Sequence, residues 1–264
     1  VDELSAQAIL NGLRTSWLGR NVLFYEKTGS TNSVAASLAQ QGAPEGTLVI
    51  AEEQTAGRGR LGRPWVAPHG TCLLFSLLFR PSLEARRAQG LTMVCGLGLR
   101  QAVRDVTGLP AQLKWPNDLL LHGRKAGGML TELSAQAGRL DYVVVGIGLN
   151  VNVDAAQLPP EFHAASLLTE LGRSVSRVAL LQRALEDIEV RYHTLQAGLW
   201  PLQEWSAALD TLGKRVQLNT AEGVLEGQAE GVDEQGALLV RQGDGRVQRV
   251  LVGDIVLVGH SPEG

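Results

Sequence analysis

Apolar and polar residues alternate through NVLFYEKTG (21–29) and run together in TLVIAEEQ (47–54) and GTCLLFSLLFR (70–80). The alternation predicts a strand, and so does each run, the last covered on both faces. ELSAQAILNGL (3–13) predicts a short amphipathic helix, SVAASLAQQGA (33–43) a second, and SLEARRAQGLTMVCGLGLRQAVRDVTG (82–108) a longer one. AQLKWPNDLLLHGRKAGGMLTELS (111–134) predicts a hairpin around HGRK, and DYVVVGIGLNVN (141–152) another buried strand. Val178, Leu181, Leu185, Ile188, Tyr192 and Leu195 recur at helical spacing, the stripe of a helix packed on a sheet.

From Gly213 the texture changes to short strand-like runs, KRVQLN, VLEGQAEGV, ALLVRQ, RVQRVLV and DIVLVG, broken by DEQG and GDG turns. This predicts two domains, 1–211 and a small β-barrel over 212–264. Without regular βαβ alternation, the larger one reads as α+β rather than doubly wound.

With 264 residues, 44% apolar and 19% charged, the chain can bury a full core and is no disordered protein. Its formal charge of -3 provides no global field toward nucleic acid or membrane. Cys72 and Cys95 lack CxxC spacing and read as reduced core thiols. The apolar runs CLLFSLLF and VVVGIGL fall short of the ~20 residues that span a bilayer, so a cytoplasmic location is expected.

Against this background GRGRLGRPW (57–65) is unusual, with three arginines set among three glycines. Gly57, Gly59 and Gly62 match GxGxxG, but a dinucleotide-binding turn opens onto a helix, whereas this loop leads into a strand. There is no GxxxxGK[ST] for a nucleotide P-loop, and no HRD or DFG for a kinase. What remains is a glycine-jointed loop of guanidinium groups, suited to closing over a phosphate or carboxylate. A solvated surface loop and a DNA-gripping arm are the alternatives, the second opposed by the net negative charge. In KWPND (114–118), Asn117 and Asp118 offer oxygens to Mg²⁺ or ribose, although the string also reads as a plain turn. Lys125 precedes Ala-Gly-Gly, whose small side chains allow close approach to a ligand, and Gly146 and Gly148 thin a strand that ends at Asn150. Ser30, Thr31 and Asn32 read as N-cap residues of a helix from Ser33, or as a grip on a polar ligand. The five histidines show neither HExxH nor paired spacing, so no metal or triad role is assigned to them.

Taken together and in order, STN, EEQTAGRGRLGRPW, KWPNDLL, RKAGGML and GIGLNVN resemble the biotin protein ligase family. The resemblance spans most of 24–152, and the β-rich end is similar to that family's SH3-like domain. It implies a catalytic domain related to class II aminoacyl-tRNA synthetases, in a form without the N-terminal helix-turn-helix that many bacterial members carry. It also implies a two-step reaction: biotin and ATP form biotinyl-5′-AMP, and a lysine of a biotin carboxyl carrier protein then takes the biotinyl group. By resemblance, Ser30, Thr31, Asn32 and Gln54 meet the biotin ring system. Gly57, Arg58, Gly59, Arg60 and Gly128 surround its acyl end, and Lys125 and Arg60 are the catalytic pair. Arg58, Arg60, Arg63, Trp65, Asn117, Asp118 and Asn150 line the nucleotide side. No fixed protein metal site is implied, Mg²⁺ arriving with ATP near Asp118. Partners are the carrier protein and, if the protein is not a monomer, a second copy of the chain; no membrane or DNA is expected. A lipoate ligase and a non-enzymatic nucleic-acid-binding regulator are the rival readings.

Overall fold

The structure, a computed structural model, describes residues 3–220, 223–251 and 254–257. The larger part runs α1 (Ala6–Leu10), β1 (Val22–Thr28), α2 (Thr31–Gln40), β2 (Leu48–Gln54), β3 (Cys72–Phe79) and α3 (Gln89–Thr107). It continues through β4 (Gln112–Lys114), β5 (Asp118–Leu121), β6 (Arg124–Gln136), β7 (Arg139–Asn150), α4 (Leu167–Leu171), α5 (Arg177–Gln196) and α6 (Leu202–Ala208). The strands form one seven-stranded sheet in the order β1-β2-β3-β7-β6-β5-β4, in which only β1 and β2 are parallel. The expected α+β class is what this topology shows.

Strand β3 explains the layering. Leu73, Phe75, Leu77 and Phe79 join the main core, together with Leu91, Leu97 and Leu99 of α3 and Leu181, Leu185 and Ile188 of α5. On the other face Leu78 packs with Ala35 and Ala39 of α2, and Cys72 and Leu74 lie under Trp65 and Leu158. An almost wholly apolar run is therefore needed, since water reaches neither side. Its one polar member, Ser76, lies on the α2 face and is fully buried. Both cysteines are buried and free, and burial pushes each thiol up from its ordinary pKa.

Strands β8 (Arg215–Thr220), β9 (Gly223–Val232), β10 (Leu238–Arg241), β11 (Val247–Val250) and β12 (Asp254–Leu257) form a separate antiparallel sheet, ordered β11-β10-β9-β8-β12. It is the small SH3-like element. It is tied to the KWPND segment: Trp115 Nε1 donates to the Gly236 carbonyl at 2.8 Å, and Trp115 N donates to Thr211 Oγ1 at 3.0 Å. The far ends of the strands expected over 246–252 and 254–259, and the chain ends bounding the two expected domains, lie outside the described residues.

Two local expectations change. The third helix begins at Gln89 rather than Ser82, because Leu83 and Ala85 hydrogen-bond in extended form to Leu140 and Gly138, with Glu84 bridged to Arg139, and a 3₁₀ turn over Ala85–Arg87 follows. Helix α2 begins at Thr31 rather than Ser33, and Ser30, although at the N-cap position, makes no side-chain cap hydrogen bond. Thr31 and Asn32 point their polar groups at the sheet instead. Among the described residues no helix is long and apolar enough to cross a membrane.

Candidate active site

The strand register brings the unusual residues onto one face of the sheet. Asp118 of β5 pairs with Gly128 of β6, Gly128 with Gly148 of β7, Gly146 with both Leu130 and Ser76, and Asn150 with Cys72. The glycines make room for side chains. A β-carbon at Gly146 would stand 2.0 Å from Asn32 Oδ1, and one at Gly148 would stand 2.5 Å from Trp65 Cε2. The thinning of this strand thus admits the amide of α2 and the indole of the arginine loop.

That loop is not shapeless. Gly59 N donates to the Arg63 carbonyl at 2.7 Å and Trp65 N to the Gly57 carbonyl at 3.0 Å, closing a small hairpin over 57–65. Leu61 at its tip has φ 55 and is 69% exposed. The base of the loop is fixed by a buried ion pair: Arg177, at the start of α5, grips both oxygens of Glu52 on β2 and donates to the Cys72 carbonyl of β3 at 3.3 Å. A bidentate fork in low dielectric gives this anchor its geometric definition.

Beneath the hairpin lies a polar recess of about 40 Å³ lined by Ser30, Thr31, Asn32, Gln54, Arg58, Gly59, Trp65, Gly128, Gly146 and Gly148, among others. Its polar groups are locked. Thr31 N donates to Gln54 Oε1 at 2.8 Å and Thr31 Oγ1 to the same oxygen at 3.1 Å, which leaves the Gln54 NH₂ to face a ligand. Asn32 Nδ2 donates to Glu132 Oε2 at 2.7 Å and to the Leu130 carbonyl at 3.2 Å; Asn32 Oδ1 accepts from Ser76 Oγ at 2.6 Å. That orientation presents the second lone pair of Asn32 Oδ1 as an acceptor. Arg58 Nη2 reaches Ser33 Oγ at 3.1 Å and Glu132 Oε1 at 3.3 Å.

Adjoining it is a cleft of about 480 Å³, a size typical of a small-molecule site. Arg60, Arg63, Trp65, Asn117, Asp118, Lys125 and Asn150 line it, as does Lys114, so four cations face Asp118 and Glu161. Such an imbalance suits a polyanion. Arg60 Nη1 lies 3.5 Å from Asn117 Oδ1, whose Nδ2 is held by the Met129 carbonyl at 2.5 Å. Asn150 is buried, with Nδ2 on the Ala165 carbonyl at 3.0 Å. Lys125 Nζ is 2.6 Å from Asp118 Oδ1, an ion pair by distance that lacks hydrogen-bond angles, and 5.8 Å from the centre of the Trp65 ring. A β-carbon at Gly128, in the wall of the polar recess, would be 3.3 Å from Lys125 Nζ. Lys125 therefore sits at the junction of the two spaces, and Gly59 and Trp65 are walls of both.

All but one of the residues expected to meet biotin or the nucleotide line one space or the other. Gly57 lines neither; its carbonyl closes the base of the hairpin. Sequence reasoning missed Ser76, Glu132 and the segment Leu158–Ala164, which walls the large cleft and joins β6 through the Lys125–His163 backbone hydrogen bond. Ser76 carries a signal, a lone hydroxyl inside an apolar run; the 158–164 segment has no periodicity to read.

A family profile described as Biotin/lipoate A/B protein ligase family matches residues 24–150, and one described as Biotin protein ligase C terminal domain matches 211–258. The chain is 34% identical over 259 residues to the Bifunctional ligase/repressor BirA of Bacillus subtilis, covering 97% of this chain and 79% of that protein. The chain belongs to the biotin protein ligase family. Another member, the Biotin--[acetyl-CoA-carboxylase] ligase of Mycobacterium tuberculosis, is 33% identical, with 97% of this chain and 95% of that one covered. The biotin protein ligase of Aquifex aeolicus, solved in complex with biotin and ATP, superposes with a TM-score of 0.77 at 31% identity, covering 90% of this chain and 98% of that one. Membership of the family agrees with the resemblance carried by the five sequence motifs.

Proposed function

We propose that this protein is an ATP-dependent biotin ligase that forms biotinyl-5′-AMP and passes the biotinyl group to a lysine of a biotin carboxyl carrier protein. In the first step a biotin carboxylate oxygen bonds to the α-phosphorus and pyrophosphate leaves. In the second, the lysine amine bonds to the acyl carbon, AMP leaves, and the amine loses a proton. One observation carries this reading: a recess of fixed amide and hydroxyl groups abuts a cleft of four cations, with Lys125 where they meet.

Ser30, Thr31, Asn32 and Gln54 hold the ring system, whose ureido group needs donors and acceptors at fixed angles. The hairpin roofs this narrow recess, and its glycine joints allow it to open for a ligand and close over it. Arg58 and Arg60, with Gly57, Gly59 and Gly128 leaving space, meet the acyl end. Arg63, Trp65, Asn117, Asp118 and Asn150 take the nucleotide. Two anions must approach each other in the first step, and Lys125 and Arg60 supply the opposing charge there. Among the described residues no three His, Cys, Asp or Glu side chains converge to hold a metal ion. Mg²⁺ fits as an ion carried on the phosphates, which it would neutralise, with Asp118 as the adjacent carboxylate. The catalytic unit spans 1–211 and the SH3-like domain 212–264, the change-over at Thr211 being pinned to Trp115.

Exchange of labelled pyrophosphate into ATP tests the reaction. Biotin-dependent exchange is expected. Exchange that depends on lipoate instead identifies the rival ligase, and no exchange with either acid overturns the enzymatic reading.

A further inference from the structure

Glu132 lies outside the set of residues assigned above to the substrates, yet it touches two of them. Its carboxylate bridges the wall of the polar recess and the arginine hairpin: Oε2 accepts from Asn32 Nδ2 at 2.7 Å and Oε1 faces Arg58 Nη2 at 3.3 Å. Both Glu132 and Arg58 are partly exposed, with side chains 41% and 47% accessible, so the pair is screened and can exchange partners. The other side-chain hydrogen bond of Arg58 among the described residues, to Ser33 Oγ at 3.1 Å, uses the same Nη2 nitrogen.

That geometry has a chemical consequence. A guanidinium offers a carboxylate two bidentate forks, Nε with Nη2 or Nη1 with Nη2, and both need Nη2. Nη2 carries two hydrogens, and Ser33 and Glu132 take them. A carboxylate arriving on Arg58 must therefore displace Glu132 or lie beside it, and two like charges on one cation repel. A ligand with a neutral tail meets no such competition.

We propose that Glu132 is a specificity-determining residue that competes with the biotin carboxylate for Arg58 and thereby sets how strongly the site prefers an anionic acyl tail. This rests on the reading that Arg58 meets that carboxylate. Glu132 also braces Asn32, so a change in affinity alone would not separate its two roles. The ratio of affinities for biotin and for biotinamide does separate them, because both carry the same ring system and only the tail charge differs.

The experiment is calorimetric titration of the full chain with biotin and with biotinamide, for the parent, Glu132→Gln, Arg58→Ala and the double variant. Glu132→Gln keeps shape and an acceptor for Asn32. It is expected to raise the biotin-to-biotinamide preference roughly two- to fivefold, the scale of one partly exposed ion pair, and to lose that effect in the Arg58→Ala background. If the preference stays constant while both affinities move together, Glu132 only braces Asn32 and the proposal is overturned. It is equally overturned if Glu132→Gln raises the preference as much without Arg58, which would mean direct repulsion of the ligand. If Arg58→Ala by itself leaves the preference at the parent value, the assignment of Arg58 to the carboxylate is wrong, and the role of Glu132 falls for that separate reason.

Discussion

Replacing Gly146 by alanine should disable the polar recess through a single methyl group. The added carbon would lie 2.0 Å from Asn32 Oδ1, 2.7 Å from its Cγ and 3.0 Å from its Nδ2. No real β-carbon tolerates the first of these, so the amide must turn away. In turning it gives up the bonds to Ser76 Oγ, the Leu130 carbonyl and Glu132. Two of these are neutral, at about 0.5–1.5 kcal/mol each, and the third meets a charged acceptor, at about 1.5–3 kcal/mol. Partial relaxation of the strand recovers some of the sum, which leaves an expected stability loss of about 2–4 kcal/mol. Biotin would also lose the oriented Asn32 acceptor. A hydrogen bond of about 1.4–3 kcal/mol corresponds to roughly ten- to hundredfold weaker binding. Urea unfolding and calorimetric biotin titration measure the two effects separately. Adding Asn32→Ala to Gly146→Ala should restore part of the stability by making room, while binding stays weak. Gly146→Ala binding biotin within threefold of the parent would refute the idea that a rigid Asn32 amide builds the recess.

Three further outcomes follow from the same geometry. Arg60→Gly should still form the adenylate but release it faster, because the hairpin loses its tie to Asn117; trapped intermediate dissociating at the parent rate would remove Arg60 from the lid. Lys125→Ala should slow adenylate formation by roughly 10²- to 10³-fold in single-turnover assays, the scale for one charge-stabilising donor, and near-normal adenylation would take Lys125 off the catalytic list. Away from the site, burial alone would raise the Glu189 carboxyl pKa, but N–H donors from Ser16, Leu18 and Trp17 and the Ser16 hydroxyl outweigh it and hold the value below the ordinary carboxylate range. A depressed folded-state pKa gives stability that is present above the unfolded value and is lost as pH falls through the folded one. Glu189→Gln should therefore cost about 1–3 kcal/mol at pH 7, a gap that closes on acidification; an equal gap in urea melts at pH 7 and pH 3 would exclude the carboxylate as the source.

Much of the architecture was legible because burial leaves a simple trace. CLLFSLLF must be covered on both faces, and it occupies the middle of the sheet between α2 and the α3–α5 layer. The spacing from Val178 to Leu195 fixed α5, and the change of texture at Gly213 marked the second sheet. Glycine spacing in GIGLN foretold a close approach, though not that Asn32 and Trp65 would be the groups approaching. Less legible were features that depend on contacts distant in sequence. Ser30, Thr31 and Asn32 have the local chemistry of a helix cap, and only the position of Gln54, Ser76 and Glu132 across the sheet gives Thr31 and Asn32 another use. Glu132 reads as one more polar residue on a strand until the register sets it beside Asn32. The 158–164 wall of the large cleft is held by backbone hydrogen bonds to β6, which no side-chain pattern encodes.

A crystal structure of the protein with biotinyl-5′-AMP would locate the adenylate relative to Lys125 and the arginine hairpin. The ring system is expected between α2 and Gly146, the acyl phosphate beside Lys125 with the hairpin closed over it, and the adenosine in the cleft bordered by Trp65 and Asn150. A ligand bound away from these residues, or with its adenosine in the Asn32 recess, would contradict that placement.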